Sequence, residues 1–192
     1  MTEANQKKAL EQFAKEVVRM AKSNLSSIKG PTKLEGSIDY DYEAKNGNIV
    51  VSFKMADYGT FVDKGVKGSG GEIPSGKYKG NWGGRRYYQT WEGKRKDSPY
   101  AFGKSRNGGL TEAIKGWIGT KGIKGRDEKT GRFITNKALV FLISRNIYIR
   151  GIHGISFLQN AIQSNINDLR ANYSIAFKED FKETAFAAIN KQ

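Results

Sequence analysis

A pattern of period two runs along the segment from Ile49 to Met55. Its apolar positions are Ile49, Val51, Phe53 and Met55. Because successive side chains of a strand point to opposite faces, the pattern predicts a strand with one buried face. The chain is then predicted to turn at Tyr58-Gly59 and to return the Phe61-Val62 pair toward that face, and Gly65 is predicted to close the ordered segment.

A long helix and a first strand are predicted before this segment. From about Glu3 to Ile28, apolar residues step by three and four positions, which is one stripe of an amphipathic helix. Gly30-Pro31 ends it, because proline cannot continue the hydrogen-bond ladder. Leu34 to Tyr42 alternates as a strand, and Asn46-Gly47 is a strong hairpin-turn signal. We expect the helix to pack across the apolar face of the hairpin.

Two further helices are predicted before residue 151. A short one spans about Thr111 to Thr120, and a longer one spans about Lys137 to Arg150. Gly151 follows as a standard helix stop. The stripe predicted to be buried in the longer helix consists of Leu139, Leu142, Ile143 and Ile147.

A last helix is predicted to begin at Phe157. Ser156 and Gln159 have the spacing of a capping box, in which each side chain bonds the other residue's backbone. Apolar residues then keep helical spacing as far as Ile189. This segment is either one helix about 50 Å long or two helices separated near Ala171-Asn172, and we favour a break or bend there.

These elements predict an α+β fold class. A long N-terminal helix packs on a small antiparallel sheet, followed by C-terminal helices and interrupted by a long inserted loop region. We expect a single domain over residues 1–192, with residues 1–66 and 136–192 as its core. Residues 67–135 form a basic insertion rich in glycine and aromatic residues, in which residues 81–91 have the pattern of a hairpin.

The composition excludes several kinds of site. The chain has no cysteine, so disulfides, thiolate metal sites and cysteine nucleophiles are ruled out, and a single histidine, His153, excludes zinc sites built from histidines. No cofactor or metal is expected. No segment is apolar enough for a membrane span and the first residues lack a signal peptide, so we expect a protein made in the cytosol, with no membrane partner.

The positive charge is concentrated in two segments. The net charge is +14; residues 64–106 carry eleven Lys and Arg against three acids, a net of +8, and residues 115–132 carry six against two, a net of +4. The basic character therefore belongs to two loops. In the first, cations alternate with aromatic residues, and we predict that these residues bind a partner: Trp82, Arg85, Arg86, Tyr87, Tyr88, Trp91, Lys94, Arg95 and Lys96.

Two classes of partner fit this set. Lys and Arg neutralise phosphates while aromatic rings stack on bases, which is typical of nucleic-acid binding. The favoured alternative is a loop that becomes ordered when it docks on an acidic neighbour within an assembly.

Three weaker catalytic or ligand-binding patterns remain. Gly103-Lys104-Ser105 resembles the end of a phosphate-binding loop, but Ser98 stands where glycine is needed. Asp39, Asp41, Glu43 and Lys45 have the spacing of a metal-dependent nuclease. Acids at alternate strand positions are more often a solvated face, and His153 is interpreted as a surface residue.

Two segments together resemble a known family. Ala56-Asp57-Tyr58-Gly59-Thr60-Phe61-Val62-Asp63-Lys64-Gly65-Val66 resembles the segment in which many small tail-completion or neck proteins of tailed bacteriophages leave their second strand. Residues 138–158, ending Arg150-Gly151-Ile152-His153-Gly154-Ile155-Ser156-Phe157-Leu158, are similar to their helix, Gly-Ile connection and Phe-Leu helix start. The likeness covers residues 1–66 and 136–192, and the insertion between them departs from the compact family.

The resemblance implies a virion structural protein and no catalytic residues. Such a protein assembles as a homo-oligomeric ring between the head portal and the tail, in contact with the portal and with adjacent neck or tail proteins. Non-specific contact with phage DNA is a further expectation. A non-enzymatic DNA-binding protein is the alternative, and a metal-dependent nuclease is a remote one.

Overall fold

The computed structural model describes residues 4–27, 32–45, 48–73, 80–82, 84, 86–102 and 109–189. Its elements are, in chain order, α1 (Ala4–Ser27), α2 (Thr32–Ser37), β1 (Asp39–Lys45), β2 (Asn48–Lys54), α3 (Gly59–Lys64), β3 (Gly65–Lys67), β4 (Gly71–Ile73), β5 (Gly80–Trp82), β6 (Tyr87–Gln89), β7 (Arg95–Asp97), α4 (Gly109–Lys121), α5 (Asn136–Arg150), β8 (Gly151–His153) and α6 (Phe157–Ile189). The predicted α+β class is confirmed.

The strands form two-stranded sheets. They pair as β1 with β2, β3 with β8, β4 with β5, and β6 with β7. The chain divides into two compact units, the first comprising Met1–Asp63, Gln89–Lys96 and Ile155–Gln192, and the second comprising Lys64–Tyr88 and Asp97–Gly154. Helix α5, which we predicted within the core, belongs to the second unit, where it packs on α4.

The first unit is built on α1 and α6, which run antiparallel. Near one end, Asn24 Nδ2 donates to the backbone carbonyl of Phe157 at 3.0 Å, and near the other the Tyr173 hydroxyl donates to Gln6 Oε1 at 2.8 Å. At about 1.5 Å per residue, the 33 residues of α6 span ~50 Å and the 24 residues of α1 span ~36 Å. Helix α6 therefore extends beyond Ala4, the first described residue of α1.

The predicted break in α6 is wrong. The helix continues through Ala171-Asn172, because α1 supports it on both sides of that point. Asn165 contacts Met20 on one side, and Tyr173 contacts Gln6 on the other. With no glycine or proline in the segment, nothing local opposes continuity.

The core of the first unit lies where α1 meets the start of α6. Its buried residues are Val17, Ala21, Leu25, Leu34, Ile38, Phe157, Leu158 and Ala161. The hairpin of β1 and β2 adds its apolar face, since Phe53 meets Phe13 of α1 with ring centroids 6.4 Å apart. The predicted packing of α1 on the hairpin is therefore confirmed. Lys45 pairs with Asn48, while Asn46-Gly47 lies outside the described residues.

The predicted first strand is right from Asp39 onward and wrong before it. Residues Thr32–Ser37 form helix α2. Leu34 and Ile38 are both buried in the core and stand four residues apart, a spacing that fits a helical turn as well as alternation. Ser37 Oγ accepts the backbone N–H of Ala56 at 3.0 Å, which ties α2 to the chain after β2.

The chain turns after β2 at Asp57-Tyr58, close to the predicted Tyr58-Gly59, and helix α3 begins at Gly59. Val62 packs on the core, as expected, whereas Phe61 is largely exposed. The next residue, Asp63, is only 1% exposed and reaches the start of α6. Its Oδ1 accepts the backbone N–H of Leu158 at 2.9 Å, and its Oδ2 accepts Gln159 Nε2 at 3.2 Å.

These contacts overturn the predicted capping box. Ser156 has φ +54°, in the left-handed region, so its side chain does not cap α6. The backbone N–H of Ser156 donates to the Asp63 carbonyl at 2.9 Å, and the side chain of Gln159 turns to the Asp63 carboxylate. A residue 95 positions upstream of Leu158 therefore supplies the cap.

The second unit has a smaller core between α4 and α5. Ile118, Leu139 and Val140 are buried there, and Ile114, Ile123, Ile134 and Ile143 pack against them. The predicted helices are both confirmed, and so is the stop at Gly151, whose φ is +76° and whose N–H donates to the Ile147 carbonyl. The predicted stripe of α5 is wrong at Leu142, which is 52% exposed.

Candidate functional site

The hairpin of β6 and β7 carries most of the predicted partner-binding residues. Those in or beside it are Arg86, Tyr87, Tyr88, Trp91, Lys94, Arg95 and Lys96. Trp82 ends β5 in a different sheet and its side chain is outside the described set, as is all of Arg85. The predicted hairpin over residues 81–91 is wrong, because its two ends belong to the separate sheets β4–β5 and β6–β7.

The tip of this hairpin is fastened to the first turns of α6. The backbone N–H of Gln89 donates to Ser156 Oγ at 2.9 Å, and that of Trp91 donates to Gln159 Oε1 at 3.2 Å. The turn is closed by Thr90 N–H, which donates to the Lys94 carbonyl at 2.8 Å. Two side chains that we predicted as a capping box thus hold the hairpin in place.

The fastened tip presents cations and one aromatic ring to solvent. Trp91 is 39% exposed, and Lys94, Arg95 and Lys96 are exposed as well. Glu92 lies 2.9 Å from the Lys94 ammonium, and such an exposed pair contributes little stability. The tip therefore retains a net positive charge, in the position that the sequence predicted for a partner surface.

The base of the hairpin is more enclosed. Burial lowers the pKa of Arg86, and the nearby guanidinium of Arg150 lowers it further. Tyr87 and Tyr88 are half-buried, and Lys64 Nζ lies 5.8 Å from the centroid of the Tyr88 ring. Among the described residues of the predicted partner-binding set, the exposed side chains are therefore Trp91 and the three cations of the tip.

A second surface lies on the C-terminal half of α6, where the sequence predicted only helical spacing of apolar residues. We call it the α6 tail face; its apolar members are spread over about half of the helix circumference and are each more than half exposed: Ile175, Phe177, Phe181, Phe186 and Ile189. A four-residue step exceeds one helical turn by about 40°, so a stripe of that spacing rotates around the helix. It begins against α1 at Leu158 and faces solvent by Phe177.

The residue that does face α1 at this level is an aspartate. Asp180 is 2% exposed, whereas its neighbour Phe181 is 57% exposed. The chain thus buries a carboxylate and leaves a phenylalanine in water, which reverses the usual preference of both residue types.

A third surface lies on α5, in the second unit. We call it the α5 outer face, and it consists of Lys137, Phe141, Leu142, Arg145 and Tyr148. Phe141 and Leu142 are 59% and 52% exposed. The run from Ala138 to Ile143 is apolar without interruption, which is wider than one helical stripe. An apolar run of this width in the sequence indicates a helix with an apolar side that its own core does not cover.

None of the three weaker sequence patterns forms a catalytic or metal site among the described residues. Asp39, Asp41 and Glu43 lie exposed along β1, where Asp41 pairs with Lys54, and no group of three His, Cys, Asp or Glu able to hold a metal ion occurs in that part of the chain. Gly103-Lys104-Ser105 lies outside the described ranges, while Ser98 is buried and donates to the Gly65 carbonyl at 2.8 Å. His153 is exposed at the end of β8.

Comparison with known proteins adds no relative. No protein-family model matches the chain, and no curated protein or solved structure is significantly similar to it. None of the helices described is both long enough and apolar enough to cross a membrane.

Proposed function

We propose that this chain is a structural subunit of a bacteriophage virion and forms part of an oligomeric ring in the neck or tail, in head-tail joining or tail completion. One observation carries the proposal beyond the resemblance. The α6 tail face and the α5 outer face keep large apolar side chains more than half exposed on two different helices.

Two separate apolar surfaces are unfavourable for a chain that acts alone. Monomeric proteins rarely expose contiguous apolar patches of more than a few hundred Å², and larger patches mark interaction sites. A closed ring requires two different surfaces on each subunit, one for each neighbour. The presence of two such faces on one chain supports a ring more directly than it supports a single binding event.

The tip of the β6–β7 hairpin has a different role in this proposal. It is cationic and held to α6 by backbone hydrogen bonds, so it offers a preformed contact for an acidic surface on the portal or on an adjacent neck or tail protein. The subunit assembles in the host bacterial cytoplasm and resides in the virion. Neither a cofactor nor a catalytic step is part of the proposal.

The experiment is to measure the solution mass of the purified chain by light scattering at low and high salt, with negative-stain electron microscopy of the same samples. We expect ring-shaped particles whose mass is a multiple of 21.4 kDa and whose fraction rises with protein concentration. Because the contacts are apolar, high salt should not dissolve them. A strict monomer under all these conditions would contradict the proposal.

DNA binding is the second candidate, and the exposed Lys94, Arg95 and Lys96 beside Trp91 favour it. If these cations contact phosphates, the affinity for duplex DNA falls steeply with salt, and replacing all three by serine reduces the slope by up to ~3. Serine at Lys121, Lys124 and Lys129, three exposed cations of the second basic segment, is the matched control. An unchanged slope in the hairpin variant would exclude the tip as the DNA contact.

A further inference from the structure

We propose that Asp63 positions the tip of the β6–β7 hairpin, and that it does so through the side-chain amide of Gln159. The inference rests on the partner-binding role that the proposed function gives the tip, and it names the residue that holds the tip in its binding form. Asp63 is only 1% exposed, so it acts through the residues that it bonds and does not itself meet a partner.

Both side chains that accept backbone N–H groups of the tip are on residues that Asp63 holds. The backbone N–H of Ser156 donates to the Asp63 carbonyl at 2.9 Å, and Ser156 Oγ accepts the backbone N–H of Gln89 at 2.9 Å. The side chain of Gln159 donates to Asp63 Oδ2 at 3.2 Å and accepts the backbone N–H of Trp91 at 3.2 Å. Each of these two anchors of the tip therefore has a second hydrogen bond to the same buried residue.

The orientation of the Gln159 amide is fixed by the carboxylate. A carboxylate only accepts hydrogen bonds, whereas an amide has an oxygen that accepts and an NH2 group that donates. The NH2 group therefore faces Asp63, and this leaves the oxygen facing the N–H of Trp91. In the reverse orientation the amide oxygen would face the carboxylate, and the NH2 group would meet a second donor. Asp63 thus determines which end of the Gln159 amide the tip meets.

The two oxygens of Asp63 have separate roles. Oδ1 accepts the backbone N–H of Leu158 at 2.9 Å and caps α6, whereas Oδ2 accepts Gln159. Asp63→Asn keeps one oxygen, which stays on the Leu158 N–H because an NH2 group cannot accept a hydrogen bond. The NH2 group of the asparagine then faces the NH2 group of Gln159. Whichever way the Gln159 amide turns, one of its two hydrogen bonds is lost, so this substitution separates the cap from the tip.

A tip that is held in place binds more tightly than one that must first be ordered. Ordering a segment on binding costs free energy that a preformed contact does not require. When one hydrogen bond is lost, a loosened form of the tip is populated, and the apparent affinity falls with the fraction that remains competent. For a hydrogen bond of ordinary net strength, we expect the affinity of the tip to fall roughly 5-fold.

The test uses a reciprocal pair of substitutions in the full chain. Asp63→Asn opposes two NH2 groups and Gln159→Glu opposes two carboxylates, so each alone removes the match between these side chains. Together they restore it, because the asparagine NH2 group donates to the glutamate, whose other oxygen accepts the N–H of Trp91. We expect the Trp91 amide to exchange roughly 5-fold faster in each single variant and near the wild-type rate in the double variant. The Leu158 amide should stay protected in all three.

Binding at the tip is measured in the same variants, with a poly-glutamate peptide as the acidic probe. Protection of the amides of Gln89–Lys96 from exchange, followed against peptide concentration, gives the affinity of the tip itself. We expect a loss of roughly 5-fold in each single variant and recovery in the double variant. Replacing Lys94, Arg95 and Lys96 by serine gives the protection that does not depend on the cations of the tip.

Matched variants separate positioning from stability. Asp180→Asn makes the same change in the aspartate that caps α1, and Asn167→Asp makes the amide-to-carboxylate change at an exposed position further along α6. Both should leave Trp91 exchange and the affinity for the peptide unchanged. Circular dichroism verifies folding, and Gln159 is half-buried, so Gln159→Glu tests the proposal even if Asp63→Asn lowers stability.

Two results would overturn the inference in different ways. If Trp91 exchanges at the wild-type rate in both single variants, or no more slowly in the double variant than in the singles, Asp63 does not position the tip. The ring measured by light scattering is then unaffected. If poly-glutamate gives no protection to the tip of the wild type, the role of the tip in the proposed function is wrong, and the inference fails with it.

Discussion

The carboxylate of Asp180 accepts the backbone N–H of Gln6 at 3.1 Å, so a residue near the end of the chain caps the first helix. Its other oxygen accepts the backbone N–H of Asn5 at 3.2 Å. The first N–H groups of a helix have no partner within the helix, and a carboxylate there also interacts favourably with the helix dipole. The carboxylate of Asp63 caps α6 in the same way, by accepting the backbone N–H of Leu158.

The cap on α1 makes stability depend on pH. Burial opposes ionisation of Asp180, but hydrogen bonds from the backbone and side chains of Gln6 and Asn5 outweigh it and hold its pKa below the ordinary value. The stabilisation is therefore complete above the ordinary aspartate pKa of about 3.9, and it is lost as the pH falls through the lower value of the folded state.

We expect Asp180→Asn to remove this part of the pH dependence. The variant should have a lower Tm than the wild type at pH 7, and the difference should shrink as the pH falls below the ordinary aspartate pKa of about 3.9 and the wild-type carboxylate takes up a proton. Thermal unfolding followed by circular dichroism measures both. Asp168→Asn, on the exposed side of α6, is the control. A difference in Tm that is independent of pH would show that Asp180 does not act through its charge.

The cap on α6 predicts that two substitutions of Asp63 lower the stability of the protein by different amounts. Asp63→Ala leaves the backbone N–H of Leu158 buried without its acceptor, which costs about 1–3 kcal/mol. Asp63→Asn keeps an oxygen that can accept this hydrogen bond and should cost less. Urea denaturation at equilibrium gives both values. Equal losses for the two variants would point to packing rather than capping.

Two phenylalanines of α6 should respond to truncation in opposite ways. Phe157 is fully buried in the core, so Phe157→Ala should destabilise the protein by about 3–5 kcal/mol. Phe181 is 57% exposed, and Phe181→Ala should change the stability of the monomer by less than about 0.5 kcal/mol. Denaturation at low protein concentration excludes effects of association. A large loss for Phe181→Ala would place it inside the fold.

The hydrogen bonds between α6 and the hairpin tip should be visible in amide exchange. Ser156→Ala removes the acceptor of the Gln89 N–H, so this amide should exchange faster, as should Trp91 when Gln159 is replaced by alanine. Ser164→Ala is the control, since Ser164 bonds only the helix backbone, at the Asn160 carbonyl. Unchanged exchange at Gln89 would mean that the tip is held by other contacts.

Local patterns were enough to predict most of the helices. The stripe of α1, the alternation of β2 and the stop at Gly151 depend on near neighbours in sequence, and the structure has each of them. The helix at Thr32–Ser37 was missed because Leu34 and Ile38 satisfy both periods, and only the core that they share decides between them.

The site was harder to predict, because its geometry depends on distant residues. Neither Asp63 nor Asp180 has a local signal for capping, since their partners are 95 and 174 positions away. The cations of the hairpin tip were found from composition alone. The exposure of one side of α6 was not predicted, because helical spacing shows which residues share a stripe and does not show where the partner helix ends.

The cap between Asp180 and Gln6 also bears on synthesis. Helix α1 is made before α6, and the carboxylate that completes its first turn is made 174 residues after Gln6. At ~5–20 residues per second, this interval is roughly 10–35 s. For most of it the apolar stripe of α1 has no α6 to cover it, so this stripe stays exposed until the start of α6 has been made.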